Sequence, residues 1–254
     1  MRRAAHRAML VVYRLVFARG LLRLGWGRRL YFTLYDLYKS WFETGSIGGL
    51  RAFVPEGGLA IDVGASVGFF TVRFAQWAGP SGRVIALEPH EIHHTELVRR
   101  LAAKGLAARV DVRRAVADFK SGTARLLVNR DHPGDHRLGE TGEPVRAEAL
   151  DDVVPPDRKV SLVKIDVQGA ELRVLAGASA LLARDRPALF IEVDPAALAR
   201  YGSSVDSLLG LLAGWGYQPH LLTRAAPRSC TRGDLDRILA ERGYTDLLFL
   251  ASRN

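Results

Sequence analysis

Five carboxylates fall where an apolar run gives way to a turn: Asp62, Glu88, Asp118, Asp166 and Glu192. Acids crowded on one rim repel one another, so such a set needs a cation, hydrogen-bond donors or a ligand to satisfy it. The first two carry a spacing with chemical content. Residues 59–68 read LAIDVGASVG, and Glu88 closes the run RVIALE twenty residues beyond Gly68. A strand entering a glycine-punctuated turn, followed by a strand ending in an acid, suits a nucleoside cofactor whose ribose hydroxyls bond to one carboxylate. In that reading Gly64 lets the chain turn tightly out of the strand, and Gly68 lets the next helix start close to bound ligand. Asp62 holds water or backbone amides near the cofactor's ammonium group. The turn lacks Gly-x-Gly-x-x-Gly, which favours S-adenosylmethionine over a dinucleotide.

These acids need a sheet to bring their strand ends together. Apolar strand patterns at Leu59–Val63, Arg83–Leu87, 110–115, 160–167 and Ala188–Val193 alternate with helical patterns at Phe69–Trp77, 91–104, 170–182 and 205–215. Residues 217–222 and 247–251 read as a closing antiparallel pair. Near-continuous apolar strands separated by helices predict an α/β, doubly wound, mostly parallel seven-stranded sheet with helices on both faces. Ligands of such sheets sit beyond the carboxyl ends of the strands, where the five acids fall. Residues 121–129 read as a hairpin arm, and 129–144 as a long polar loop.

The chain has 254 residues, 48% of them hydrophobic, which supports one α/β domain with a full core. Cys230 is the lone cysteine, and no Cys/His cluster has zinc-ligand spacing, so a reducing cytoplasmic setting is expected. The net charge of +9 is concentrated. Residues 1–41 hold eight arginines and Lys39 against Asp36 alone, a net +8, while the other 27 basic and 26 acidic side chains leave +1. The body is therefore near neutral, which argues against a nucleic-acid groove across the active face. Arginine interrupts each apolar run of the N-terminal segment too early for a bilayer span. Two readings stand for it: a helix lying on an anionic membrane surface, or, the plainer one, amphipathic helices that cover the sheet edge. Its apolar, aromatic character also offers a face for a homo-oligomer. The expected organisation is a basic extension over 1–50 and a catalytic domain over 51–254.

Within 57–195 the sequence resembles the FkbM-type S-adenosylmethionine-dependent methyltransferases. The likeness rests on IDVGASVGFFTVRFA, GRVIALEP, AVAD, ALDDVV, LVKIDVQGAEL and PALFIEVDP in that order. It implies the Rossmann-like class I methyltransferase fold. It also implies that Asp62, Gly64, Ala65 and Gly68 bind the methionine part, Glu88 the ribose, and that Asp118 faces adenine. The family's acceptors are typically hydroxyls on sugars, polyketide macrocycles and similar natural products. Family members often carry Lys-Ile-Asp-Val-Glu-Gly-Ala-Glu, whereas this chain has Gln168 at the first of those glutamates.

Methyl transfer to a hydroxyl requires alignment and a proton acceptor. Asp166 is the first candidate base, because its strand end lies beside the Asp62 loop; Glu171 starts the next helix, and His136 sits in the polar loop. His93 and His94 are expected on the outside of a helix. Asp166 and Glu192 offer carboxylates to a divalent cation such as magnesium, but no tight Asp-Asn pair completes such a site. The alternatives are a nicotinamide dehydrogenase, an RNA methyltransferase, and a non-catalytic nucleoside-binding protein of the same fold.

Overall fold

The computed structural model describes residues 47–129, 136–223 and 226–252, together with Thr33. Apart from Thr33, the basic segment 1–41 lies outside the described residues, as does part of the polar loop (130–135). Among the described residues, twelve strands form two sheets. The main sheet is built on β1 (Leu59–Val63), every residue of which is buried, as expected of a central strand covered on both faces. It pairs in parallel with β2 (Arg83–Leu87) on one side and β8 (Val160–Ile165) on the other. β3 (Val110–Arg113) adds beyond β2, and β9 (Ala188–Val193) beyond β8. β12 (Thr245–Ala251) then runs antiparallel between β9 and β10 (Tyr217–Leu221), with the two-residue β11 (Arg228–Ser229) at the edge.

The observed order, β11-β10-β12-β9-β8-β1-β2-β3, has eight strands where seven were expected, because β11 is too short to register as a pattern. Reversal of strand order around β1 opens a crevice at the carboxyl ends of β1, β2 and β8.

Alternation along β1 divides the core. Ile61 and Val63 join Ile85, Val163, Ile165 and Ile191 on one face, packed by α4 (Glu171–Ala176), α5 (Ser179–Asp185) and α7 (Val205–Gly214). Ala60 joins Val84, Leu162 and Phe190 on the other, under α1 (Phe69–Trp77) and α2 (Glu91–Ala103). Asp62 and Lys164 continue this second face.

Three expectations change. The strand at 110–115 is two strands: after Arg114 the chain leaves the main sheet as β4 (Ala115–Ala117). β4 pairs with β7 (Glu143–Glu148) in a second sheet, β4-β7-β5-β6, with β5 (Gly122–Leu127) and β6 (Arg137–Leu138). Its small core is Val116, Leu126 and Ala147. The polar loop 129–144 therefore contains β6 and the start of β7. The helix at 170–182 breaks into α4 and α5 at Gly177, where a Cβ would overlap the Asp118 carbonyl. Short helices α3 (Leu150–Val153) and α6 (Pro195–Arg200), and the longer α8 (Arg232–Arg242), complete the fold. Among the described residues no helix is long and apolar enough to cross a membrane.

Candidate active site

The parallel register sets Asp62 directly opposite Lys164, so both side chains enter the layer beneath α1. Lys164 Nζ lies 3.3 Å from Asp62 Oδ1, and Thr71 Oγ1 donates to Asp62 Oδ2 at 2.6 Å. The ammonium also donates to the carbonyls of Gly64 at 2.8 Å and Val63 at 3.2 Å, and sits over the Phe70 ring. A buried charge is retained only when paired and hydrogen-bonded, and this one is both. Lys164 thereby fastens the root of the glycine turn. Asp62 is fully buried and supports the glycine turn from beneath.

Gly64 has φ +73°, and a Cβ there would overlap the Asp166 carbonyl; the turn can approach β8 only with glycine. Gly64 and Ala65 both donate their amides to the Leu87 carbonyl, at 3.1 and 3.0 Å, which pins the turn to the end of β2. Gly68, in the left-handed region, is the N-cap of α1, whose first turn carries no acid. An uncompensated helix start of this kind favours an anionic group such as the methionine carboxylate.

Glu88 is 5% exposed. It accepts the Ser66 amide at 2.7 Å and the His90 amide at 2.9 Å, one on each oxygen, so it ties the turn to the start of α2. A carboxylate has about four acceptor positions, so two remain for ribose hydroxyls. Burial pushes its pKa up to about 7, against the opposing pull of those two amides. Further donors favour the ionised form. The glycine turn, the bare helix start and the acid with spare acceptor capacity together fit S-adenosylmethionine.

On the other side of the turn, Asp166 keeps partial exposure and its Oδ2 lies 3.6 Å from Lys164 Nζ. Gln168, with φ +57°, turns its amide between two acids: Nε2 is 3.4 Å from Asp166 Oδ1 and 3.2 Å from Glu192 Oε2. Glu171 does start α4, but its carboxylate folds back. Its Oε1 accepts the amides of Gly169 at 3.1 Å and Val167 at 3.4 Å, and the side chain is buried. It shapes the turn that carries Gln168. Burial foremost raises its pKa above the ordinary value.

Asp118 follows β4 and is held in a fork by Arg173, Nε to Oδ1 at 2.8 Å and Nη2 to Oδ2 at 2.7 Å. It also caps the Phe119 amide. The sequence did not single out Arg173, and nothing in its spacing pairs it with a residue 55 positions earlier.

His93 is buried, not on the outside of α2; His94 is partly exposed. His90, His93 and His136 gather, with ring centroids 4.6 Å (90–93), 4.1 Å (90–136) and 5.3 Å (93–136) apart. Burial lowers the pKa of His90, and that of His93 well below the ordinary imidazole value, so both are neutral near pH 7. His136 accepts the Asn129 amide on Nδ1 at 3.2 Å. Two residues on, the Leu138 carbonyl accepts from Tyr201, whose ring stands beside Gly169 in the turn after β8. Residues 136–138 therefore form a strap from the start of α2 to the turn after β8, across the crevice. The structure thus brings the candidate bases into two groups: Asp166 with Gln168 and Glu192, and His136 with His90 and His93.

The FkbM methyltransferase domain matches residues 62–219, more than half of the chain, and the chain belongs to that family. Comparison with curated proteins gave no match. Among solved structures, the chain is similar to an FkbM methyltransferase from Methylobacillus flagellatus (21% identity, 76% of this chain and 44% of that one, TM-score 0.47). It is also similar to a putative rRNA methylase from Clostridium thermocellum (15%, 80% and 95%, 0.47) and to an S-adenosylmethionine-dependent O-methyltransferase from Thermotoga maritima (16%, 82% and 65%, 0.44). The chain spans less than half the length of the Methylobacillus protein. The family assignment stands on the 62–219 match.

Proposed function

We propose that this chain transfers a methyl group from S-adenosylmethionine to a hydroxyl on a sugar or polyketide-type natural product. One observation carries the acceptor side. Of the five strand-end acids, Asp62, Glu88 and Asp118 are buried, whereas Asp166 and Glu192 keep partial exposure. The cofactor supplies an electrophilic methyl on a sulfonium. The chain's own work is to align an acceptor oxygen and to take its proton. Lys164 and Gln168 approach opposite oxygens of Asp166, which fixes the plane of that carboxylate beside the glycine turn. Asp166 accepts the hydroxyl proton as the oxygen takes the methyl group.

The test is a transfer assay with methyl-labelled cofactor over a panel of sugar, macrolide and RNA acceptors. Labelled ether product from a hydroxyl acceptor, lost in Asp166→Asn while cofactor affinity is kept, is the expected result. Label in RNA alone, or an Asp166→Asn chain that no longer binds cofactor, overturns it.

A further inference from the structure

We propose that His90, His93 and His136 form a transition-metal site, taken by Zn2+, that fastens the strap to α2. The site shares Glu88 with the cofactor reading, but metal binding is measured without cofactor or acceptor, so the two can fail separately. Among the described residues these three side chains each place a ligand nitrogen within 4.8 Å of the others. A tetrahedral zinc with bonds of about 2.0–2.1 Å holds its nitrogens about 3.4 Å apart, so the rings need to close by roughly 1.4 Å. Rotation about the side-chain bonds of His136, on a strap, is the easiest route to that closure.

The surroundings favour a ligand over plain packing. His90 Nδ1 is buried with no hydrogen-bond partner, which a buried polar atom does not tolerate cheaply. Glu88 Oε1 lies 3.8 Å from His93 Nδ1, the place of the carboxylate that orients a metal-bound imidazole, and this leaves His93 Nε2 for the metal. His90 and His93 are spaced i,i+3 at the start of α2 and so share one side of it. His136 arrives 43 residues later from a different sheet. Ligation through its Nε2 moves the ring proton to Nδ1, which then no longer accepts the Asn129 amide at 3.2 Å, a small loss beside a metal–imidazole bond. Three imidazoles select zinc and its neighbours, and disfavour magnesium, which wants oxygen ligands. The fourth position is left to water.

The experiment uses untagged full-length chain stripped with chelator. Zn2+ is titrated in competition with a chromophoric chelator, and Co2+ is added separately to read tetrahedral ligand-field bands. One equivalent of Zn2+ should bind, with a shift of the Asn129 amide resonance. His90→Ala and His136→Ala should each weaken it by at least about a hundredfold, the upper end of the loss seen for groups one shell further out. His136→Cys, which keeps a ligand atom, should restore binding. His94→Ala and His220→Ala are expected to leave it unchanged. Circular dichroism of the metal-free variants separates loss of a ligand from loss of fold. No stoichiometric binding, or binding that survives both His90→Ala and His136→Ala in folded protein, overturns the proposal.

Discussion

Lys164 and Asp62 face each other across neighbouring parallel strands, 3.3 Å between Nζ and Oδ1, with side chains 3% and 0% exposed. The pair lies directly under the glycine turn, and Lys164 reaches the turn's first carbonyl as well. Replacing Lys164 by Met leaves a buried carboxylate with only Thr71 as partner. The expected cost is roughly 3–5 kcal/mol of stability, read by urea unfolding. Adding Asp62→Asn should recover a large part of it. A single-variant loss below about 1 kcal/mol would mean that water reaches Asp62.

Glu88 joins the turn to α2 and keeps acceptor capacity for ribose. Glu88→Ala should weaken S-adenosylmethionine binding by about 1–3 kcal/mol, or roughly 5- to 150-fold in Kd. Calorimetry on folded variant is the measurement; unchanged affinity sinks the ribose assignment.

Gln168 donates toward both Asp166 and Glu192. Gln168→Glu exchanges a donor for a third negative charge between two others. Like charges at this range repel, so the variant loses the donor that orients Asp166 and gains a repulsive neighbour. Turnover should fall while cofactor affinity is kept, read by steady-state kinetics beside calorimetry. An unchanged kcat would show that Gln168 does not position Asp166.

Glu171 has its pKa raised chiefly by burial, from an ordinary 4.5. A carboxyl whose folded pKa exceeds its unfolded pKa contributes most to stability below pH 4.5 and loses that contribution as pH rises through the folded value. Glu171→Gln keeps an oxygen for the Val167 and Gly169 amides and has no such dependence. Its stability relative to the parent chain should therefore rise between pH 4.5 and neutrality. A parallel pair of stability–pH curves would contradict the burial of a charged Glu171.

The central strands and the acids at their ends were legible because β1, β2, β8 and β9 are continuous apolar runs, and period and length together identify a buried parallel strand. Of the second sheet only β5 was, as the hairpin arm read over 121–129. β7 exposes half of its residues and β6 has two, so neither carries a pattern to read. The break between α4 and α5 depends on the Asp118 carbonyl approaching Gly177, which only the folded chain reveals. α8 buries only Leu235 and lacks an apolar stripe to read. In the site, Asp166, Gln168 and Glu192 sit at strand ends and could be anticipated. The histidine group was not: His136 stood out only as a loop residue, His93 was expected on the outer face of its helix, and His90 drew no notice, because the return of β6 toward α2 follows from sheet pairing and not from spacing. Arg173 escaped notice for the same reason.

Only Arg114 separates β3 of the main sheet from β4 of the second, and the Arg113 carbonyl accepts the backbone amide of Glu88 at 3.0 Å. The arm that bears the strap is thus rooted in the same joint that seats the ribose-side acid. Everything beyond that root, from β5 through β6 to β7, is an excursion that leaves the main sheet and rejoins it by way of α3. Such an excursion is a separable part of the fold: it is closed at its base where the Asp118 amide donates to the Glu148 carbonyl at 3.0 Å, so a change in its length is absorbed beyond that bond and not in the strands of the main sheet.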